Sequence, residues 1–394
     1  MKITKLSLVA IATMGIMSGV NADVDLKVGG QGVIYYQTSD SFDNADLFDH
    51  APNSQANAGL QLNVNADLGN DFGLGYQETF LGTLGLEKNL VGGTMQRAGE
   101  KLNDHGTTKL YVTKKINNTT LKLGRQELPK SLSPLAFSES WNVFKNTFDA
   151  AVVVNSDIPD TTVVGAYVAR SNTHSNLASF NDMAGGALPS GAYMLTVANK
   201  SKKEVPVTLT YYSLPDLTGG EGGYALWGDV QVDAGTLAQA PYPVQVGFQG
   251  GQISPENGLE DTTAFGAKVT GKAGLVNLKL AYSTVDDGTL SVQNVGTGVK
   301  TPLYTQMVAN QNAISRDADT IVLQAAGAAG PGKLIAQYGA TSDNSDASND
   351  YNELDILYKF KALGTNMLVA YIMQDDDAHS DPNNILRFWT RYNF

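Results

Sequence analysis

Alternation is the feature of this chain that most limits its fold: apolar and polar residues take turns in segment after segment, with no long apolar run to compete. Leu60, Leu62, Val64, Ala66 and Leu68 are interleaved with Gln61, Asn63, Asn65 and Asp67. Val205, Val207, Leu209 and Tyr211 alternate with Pro206, Thr208, Thr210 and Tyr212. Val276, Leu278, Leu280 and Tyr282 alternate with Asn277, Lys279, Ala281 and Ser283. Leu354, Ile356, Tyr358 and Phe360 do so with Glu353, Asp355, Leu357 and Lys359. Successive strand side chains point to opposite faces, so each segment predicts a strand with one apolar and one polar side. After residue 22 the apolar run 150–154 is among the longest. A membrane-spanning helix needs about 20 apolar residues, which excludes a helical membrane protein.

The connections between these strands alternate in length. Short turns are expected near Gly69-Asn70, Asn117-Asn118, 157–160, 201–203, Lys272-Ala273, 330–332 and 363–366, with a looser one near 235–242. Long loops are expected near 40–57, 85–106, 128–146, 171–190, 214–222, 252–261, 286–318, 342–350 and 375–383. The series predicts about 18 strands of roughly ten residues, with 16 as the alternative count. The hairpins at 224–251 and 319–341 are the least regular. Strands of this length, tilted, cross a bilayer. Short turns on one rim and long loops on the other predict an all-β fold, a transmembrane antiparallel β-barrel of the outer membrane of a Gram-negative bacterium. Soluble sandwich arrays and parallel β-helices also alternate. They do not, however, require Lys279, Lys359 and Arg387 to face into a closed structure, and no fixed repeat marks a solenoid.

Lys2 and Lys5 precede an apolar or small stretch from Leu6 to Val20, followed by Val20-Asn21-Ala22. The pattern predicts a signal peptide over residues 1–22, with the barrel occupying 23–394. A transmembrane anchor is the competing reading, and the apolar stretch is too short for it. The last strand is the sharpest local signal. Leu386, Phe388, Thr390, Tyr392 and Phe394 make a lipid-facing stripe, while Ile385, Arg387, Trp389, Arg391 and Asn393 face the lumen.

Composition narrows the function. The chain has no Cys, which removes disulfide scaffolds, thiolate metal sites and Cys nucleophiles. Its formal charge of -12, without a basic block, makes it a poor nucleic-acid binder. The four histidines, His50, His105, His174 and His379, all fall in expected loops, far apart in sequence, and no HExxH, GxSxG or P-loop is present. Neither an enzyme nor a cofactor is expected. Asp375-Asp376-Asp377 is a weak divalent-metal candidate, since Ca²⁺ wants several carboxylate oxygens. A non-transporting adhesin or structural outer-membrane protein is a further class, but barrels of 16 to 18 strands leave an aqueous channel.

Residues 121–170 carry a resemblance. Leu123-Gly124-Arg125-Gln126, Pro134 and the stretch from Phe137 to Phe148 resemble the porins of the OprD-like and major-outer-membrane-protein group. The resemblance implies an eighteen-stranded barrel that passes small solutes, amino acids, peptides or ions, a third loop folded into the lumen over 128–146, and assembly in some members as a homotrimer. A terminal Phe on an alternating aromatic strand also looks like the signal read by the barrel assembly machinery, here Phe388, Tyr392 and Phe394. The aromatic and Pro content of residues 128–146 agrees with a packed loop.

The pore wall is then expected to include Lys122, Arg125, Lys130, Glu139, Lys145, Asp149, Arg387 and Arg391. Arg125 is in phase with outward Leu121 and Leu123, which a bulge near Gly124, or a position above the bilayer, would resolve. Further inward bases are expected at Lys109, Lys268, Lys279, Lys333 and Lys359, and inward acids at Asp67, Asp229, Asp233, Glu353 and Asp355. Arginines for a carboxylate ladder are few: Arg125, Arg387, Arg391 and Arg170. Acidic loops, with Asp40, Asp43, Asp46 and Asp49 in the first, imply a mild cation preference in a porin for small hydrophilic solutes. A channel selective for small carboxylates, amino acids or peptides is the alternative. Outer-membrane lipid and lipopolysaccharide are the expected neighbours.

Overall fold

The computed structural model describes residues 25–42, 45–49, 53–88, 91–100, 102–217, 221–256 and 258–394. The expected signal peptide lies outside them.

Nineteen strands are present among the described residues. The first hairpins are β1 (Asp25–Ser39), β2 (Ser54–Gly69), β3 (Phe72–Gly82), β4 (Asp104–Ile116), β5 (Thr119–Gln126) and β6 (Phe148–Asn155). There follow β7 (Thr161–Asn172), the short β8 (Phe180–Asp182), β9 (Ala192–Asn199), β10 (Val207–Leu217), β11 (Glu221–Asp233) and β12 (Val244–Pro255). The last are β13 (Thr262–Ala273), β14 (Val276–Val285), β15 (Ala318–Ala329), β16 (Gly332–Asp343), β17 (Tyr351–Ala362), β18 (Thr365–Asp376) and β19 (Asn383–Asn393). β8 is a three-residue spur on the top of β7, and β7 also pairs β9 directly. The other eighteen strands run antiparallel round the wall, and β1 pairs β19 from Gln31↔Asn393 to Ser39↔Ile385, which closes it. The wall is an eighteen-stranded barrel.

Alternation governs its two faces. Val276, Leu278, Leu280 and Tyr282 of β14 are exposed on the outside, whereas Ala281 and Ser283 are buried within. Val207, Leu209 and Tyr211 of β10 form another exposed row. An apolar outside on a closed barrel is what a bilayer requires: the core has no water to satisfy backbone groups, and closure leaves no unpaired edge. Among the described residues, register shifts occur at four places, between Asp67 and Gly69, Gln77 and Glu78, Asp149 and Ala150, and Leu214 and Leu217.

Eight short connections lie on one rim and nine on the other, all near the expected positions. The connection at 235–242 includes one helical turn, Ala234–Leu237, capped by Asp233, whose Oδ1 accepts from the Thr236 amide at 3.0 Å. Asp233 is therefore a rim cap and not a lumen acid as expected. The connection expected over 214–222 shrinks, because β10 and β11 run on until only 218–220 separate them.

The closing seam depends on glycine. Phe394 exchanges backbone hydrogen bonds with Gly30 at 2.9 and 3.1 Å. A Cβ on Gly30 would sit 2.2 Å from the Gln61 carbonyl oxygen and 2.7 Å from the Phe394 ring. Gly30→Val is expected to cost about 2 kcal/mol through overpacking. A urea midpoint unchanged from the parent barrel would remove the seam from the stability argument.

Candidate functional site

Among the described residues, L3 (residues 127–147), which joins β5 to β6, and L7 (residues 286–317), which joins β14 to β15, fold into the bore. L3 folds inward as expected. Its Leu128, Leu135 and Ala136 pack on the inner faces of β6, β7, β9, β10 and β11, among Phe148, Val152, Val168, Met194, Tyr212 and Trp227. Its Val143 and Phe144 pack on Tyr35 and Leu81 across the barrel. Phe144 rests against Gly59, where a Cβ would come within 2.6 Å of the ring. Backbone groups of L3 find fixed partners: the Leu135 amide donates to Tyr212 Oη at 3.1 Å, and the Phe144 amide to Gln96 Oε1 at 2.7 Å.

L7 was expected as an ordinary long loop, and it folds into the lumen as well. At one side, Ser171 of β7 donates to the Gly296 carbonyl at 2.6 Å. At the other, the Ala309 amide donates to Glu353 Oε1 at 2.9 Å and the Val308 amide to Asp355 Oδ2 at 3.2 Å. β7 and β17 are half the circumference apart, so L7 spans the whole bore. The signal was readable: the fifteen residues between Lys300 and Arg316 contain no charge, and include Leu303, Tyr304, Met307, Val308 and Ile314.

Glu139 locks the two loops together. It is 6% exposed, and its Oε1 accepts from Asn294 Nδ2 at 2.8 Å, from the Lys300 amide at 3.0 Å and from the Thr297 hydroxyl. Asn294 also donates to the Phe137 carbonyl at 2.8 Å. A buried carboxylate with several donors is well satisfied. Lys130 Nζ reaches from L3 to the Thr301 carbonyl of L7 at 2.9 Å.

The loops leave a cavity of about 790 Å³ against the wall of β10 to β17. Its cations are Lys130, Lys200, Lys268, Lys279, Lys300 and Lys359; its carboxylates are Glu139 and Asp229. Lys279 Nζ donates to the Tyr304 carbonyl at 3.0 Å, and Lys268 lies 4.1 Å from the centroid of the Tyr304 ring. The Tyr304 hydroxyl donates to Asp229 Oδ2 at 2.5 Å. Lys300 Nζ is held by the Val308 carbonyl at 2.6 Å and Gln311 Oε1 at 2.9 Å. Among the described residues, none of the six lysines pairs with a carboxylate.

The remaining expected site residues divide. Lys122 faces the lumen, 3.8 Å from the centroid of Tyr111. Lys145 and Lys109 grip Glu127 at the foot of L3, at 2.8 and 2.5 Å. Arg387 Nε donates to Gln37 Oε1 at 2.9 Å, and Arg391 Nη2 to the Asn142 carbonyl of L3 at 2.7 Å. Phe388, Tyr392 and Phe394 line the outer face, where Tyr392 and Phe394 are stacked. Two expectations are overturned. Arg125 pairs across the sheet with outward Leu110, so it lies outside near the long-loop rim. Asp149 lies on that same face, 3.0 Å from Arg125 Nε and from Arg170 Nη2. The guanidinium of Arg125 is stacked on Phe180 of β8, 3.4 Å from its centroid. Both belong to an outer polar cluster: the β4–β5 register runs unbroken through Gly124, so Arg125 keeps its outward phase, and Asp149 faces it across the β5–β6 pair. Asp375–Asp377 do not gather a metal site: Asp376 bonds His379 Nδ1 at 2.6 Å, and no group of three metal-binding side chains exists among the described residues.

Fold and site together define a membrane-spanning barrel whose bore is narrowed from within by two loops. The chain is similar in fold to the outer membrane protein OpdK of Pseudomonas aeruginosa, with a TM-score of 0.76 at 13% identity over 94% of this chain and 98% of that one. It is similar to OccAB2 of Acinetobacter baumannii at 0.75 and 13% over the same shares, and to OccK3 (OpdO) of Pseudomonas aeruginosa at 0.74 and 13% over 94% and 96%. No protein-family model matches the chain, and no curated protein does. The architecture is that of OprD-like outer-membrane porins, in agreement with the resemblance in residues 121–170.

Proposed function

We propose that this chain is an outer-membrane channel for passive diffusion of small hydrophilic solutes, and that its lumen favours anions. The observation that carries the reading is the cavity lining of six lysines, unpaired with carboxylate, against two carboxylates already engaged by Asn294, Thr297, Lys300, Gln231 and Tyr304. A pore selects by its width and by the charges at its narrow part, where the field is least screened. That lining supports anion preference over the mild cation preference implied by the acidic loops. A structure of Pseudomonas aeruginosa OpdK with vanillate, an aromatic carboxylate, adds support for an anionic solute. On the same reading the outer wall neighbours lipid and lipopolysaccharide, Phe388, Tyr392 and Phe394 serve the assembly machinery, and three copies associate. Closures in threes in single-channel records would report that trimer.

The direct test is the reversal potential of the purified protein across a KCl gradient. The expected sign is that of chloride preference, and a potassium sign would sink the reading. pH supplies a second handle. Burial pushes Lys130 down to about 8, with Lys300 nearby adding to the shift. Burial likewise pushes Lys300 down to about 8, helped by Arg387. A base with a lowered pKa keeps its charge below that value and loses it above. Chloride preference is thus expected to weaken as pH rises from about 6.5 to about 9.5. A flat profile would remove both loop lysines from the selectivity field.

A further inference from the structure

We infer that the lysine-lined cavity is a binding site for phosphate-type dianions, either inorganic phosphate or the phosphate group of a small ester. The inference rests on the anion-favouring reading above and narrows it to one ligand chemistry.

The cations that face the cavity are all lysines. The two arginines of the last strand are committed elsewhere, Arg387 to Gln37 and Arg391 to the Asn142 carbonyl, and neither lines the cavity. A guanidinium fork matches a planar carboxylate in two parallel hydrogen bonds. Ammonium groups are point charges, and they suit a tetrahedral anion whose oxygens point several ways. Here they come from several directions: Lys268 and Lys279 from β13 and β14, Lys359 from β17 and Lys130 from L3, while Lys300 of L7, its ammonium held by Met307, Val308 and Gln311 oxygens, adds charge alone. With two carboxylates set against six lysines, a single negative charge leaves most of the lining uncompensated.

A second observation is independent of charge. Gln249, 4% exposed, lines the cavity and its Nε2 has no hydrogen-bond partner. Thr301 Oγ1, buried on the L7 side of the same cavity, also has none. Buried polar groups in folded proteins are nearly always bonded, and an orphan calls for an explanation. An amide N–H and a hydroxyl beside lysines wait for acceptor oxygens. A phosphate dianion offers these in number, on three unprotonated oxygens.

The test uses the full barrel in a planar bilayer in KCl at about pH 7.5, with inorganic phosphate as blocker. Succinate controls for double negative charge, and acetate for single. Phosphate is expected to depress the chloride current at a concentration about tenfold lower than succinate does. The variant K268Q with K279Q is expected to lose that block by about tenfold or more, in protein whose folded band on unheated gels matches the parent. Gln249→Leu removes a donor and no charge, and is expected to weaken the phosphate block several-fold; a role confined to packing or to the long-range field would leave it unmoved. Equal block by succinate and phosphate would overturn the phosphate assignment and leave the anion channel standing. A potassium-selective pore indifferent to both would overturn the channel reading itself, and this inference with it.

Discussion

Excising residues 288–315 and closing β14 to β15 with a short Gly/Ser turn is expected to raise single-channel conductance on the order of threefold. The wall does not need L7 for closure. β14 and β15 are paired as far as Val285↔Ala318, and the Asp317 amide donates to the Asp286 carbonyl at 2.9 Å, so the loop begins and ends at one place. Between those points the chain crosses the bore to reach Glu353 and Asp355 on β17. Its removal exposes those carboxylates to pore water, which solvates them. L3 loses the partners of Glu139 and becomes more mobile, so current noise is expected to rise with conductance. An unchanged conductance in a folded barrel would mean that L3 alone sets the resistance.

Reversing the charge of three wall lysines is expected to reverse the selectivity. Lys268→Glu, Lys279→Glu and Lys359→Glu together leave three lysines against five carboxylates in the cavity. The reversal potential across a KCl gradient should change sign, from chloride to potassium preference. All three positions face the lumen from β13, β14 and β17, where water is available, so the substitutions should not cost assembly. A sign that stays with chloride would place the selecting field elsewhere, at Lys109, Lys122, Arg387 and Arg391.

Much of this was legible in the chain because one rule acts at every strand. Leu209, Leu280 and Ile356 had to meet lipid, so Lys279 and Asp355 had to face in, and they do. Where that rule lost its signal, the reading failed. Asp149 precedes five apolar residues, 150–154, and such a run carries no phase. The structure sets Ala150 and Val152 inward and Val153 outward, which turns Asp149 out. Arg125 was in phase with Leu121 and Leu123, and its neighbours, not its resemblance to a pore residue, decided its face. L3 was expected inward chiefly from the resemblance in residues 121–170, with which its aromatic residues agree. L7 was missed since length alone marks a loop as external. Its fifteen uncharged residues, set between acidic loops, were the trace of a segment that leaves the solvent.

The four register shifts have a consequence for how such a chain can change over time. Each puts its extra residue within a few residues of the end of the bulged strand: Leu68 in β2, Thr108 in β4, Ala169 in β7 and Pro215 and Asp216 in β10, although the partners of Thr108's bulge, Gln77 and Glu78, stand in the middle of β3. Every strand addresses two media at once, oil at one position and water at the next. A single residue gained or lost in mid-strand would exchange the two addresses along half its length, sending lysines into oil. Near an end, a bulge absorbs the slip before it reaches the bilayer core. The middles of these strands should therefore tolerate substitutions but almost no change in length, while their ends and the loops beyond them carry nearly all of the length variation a lineage can accumulate.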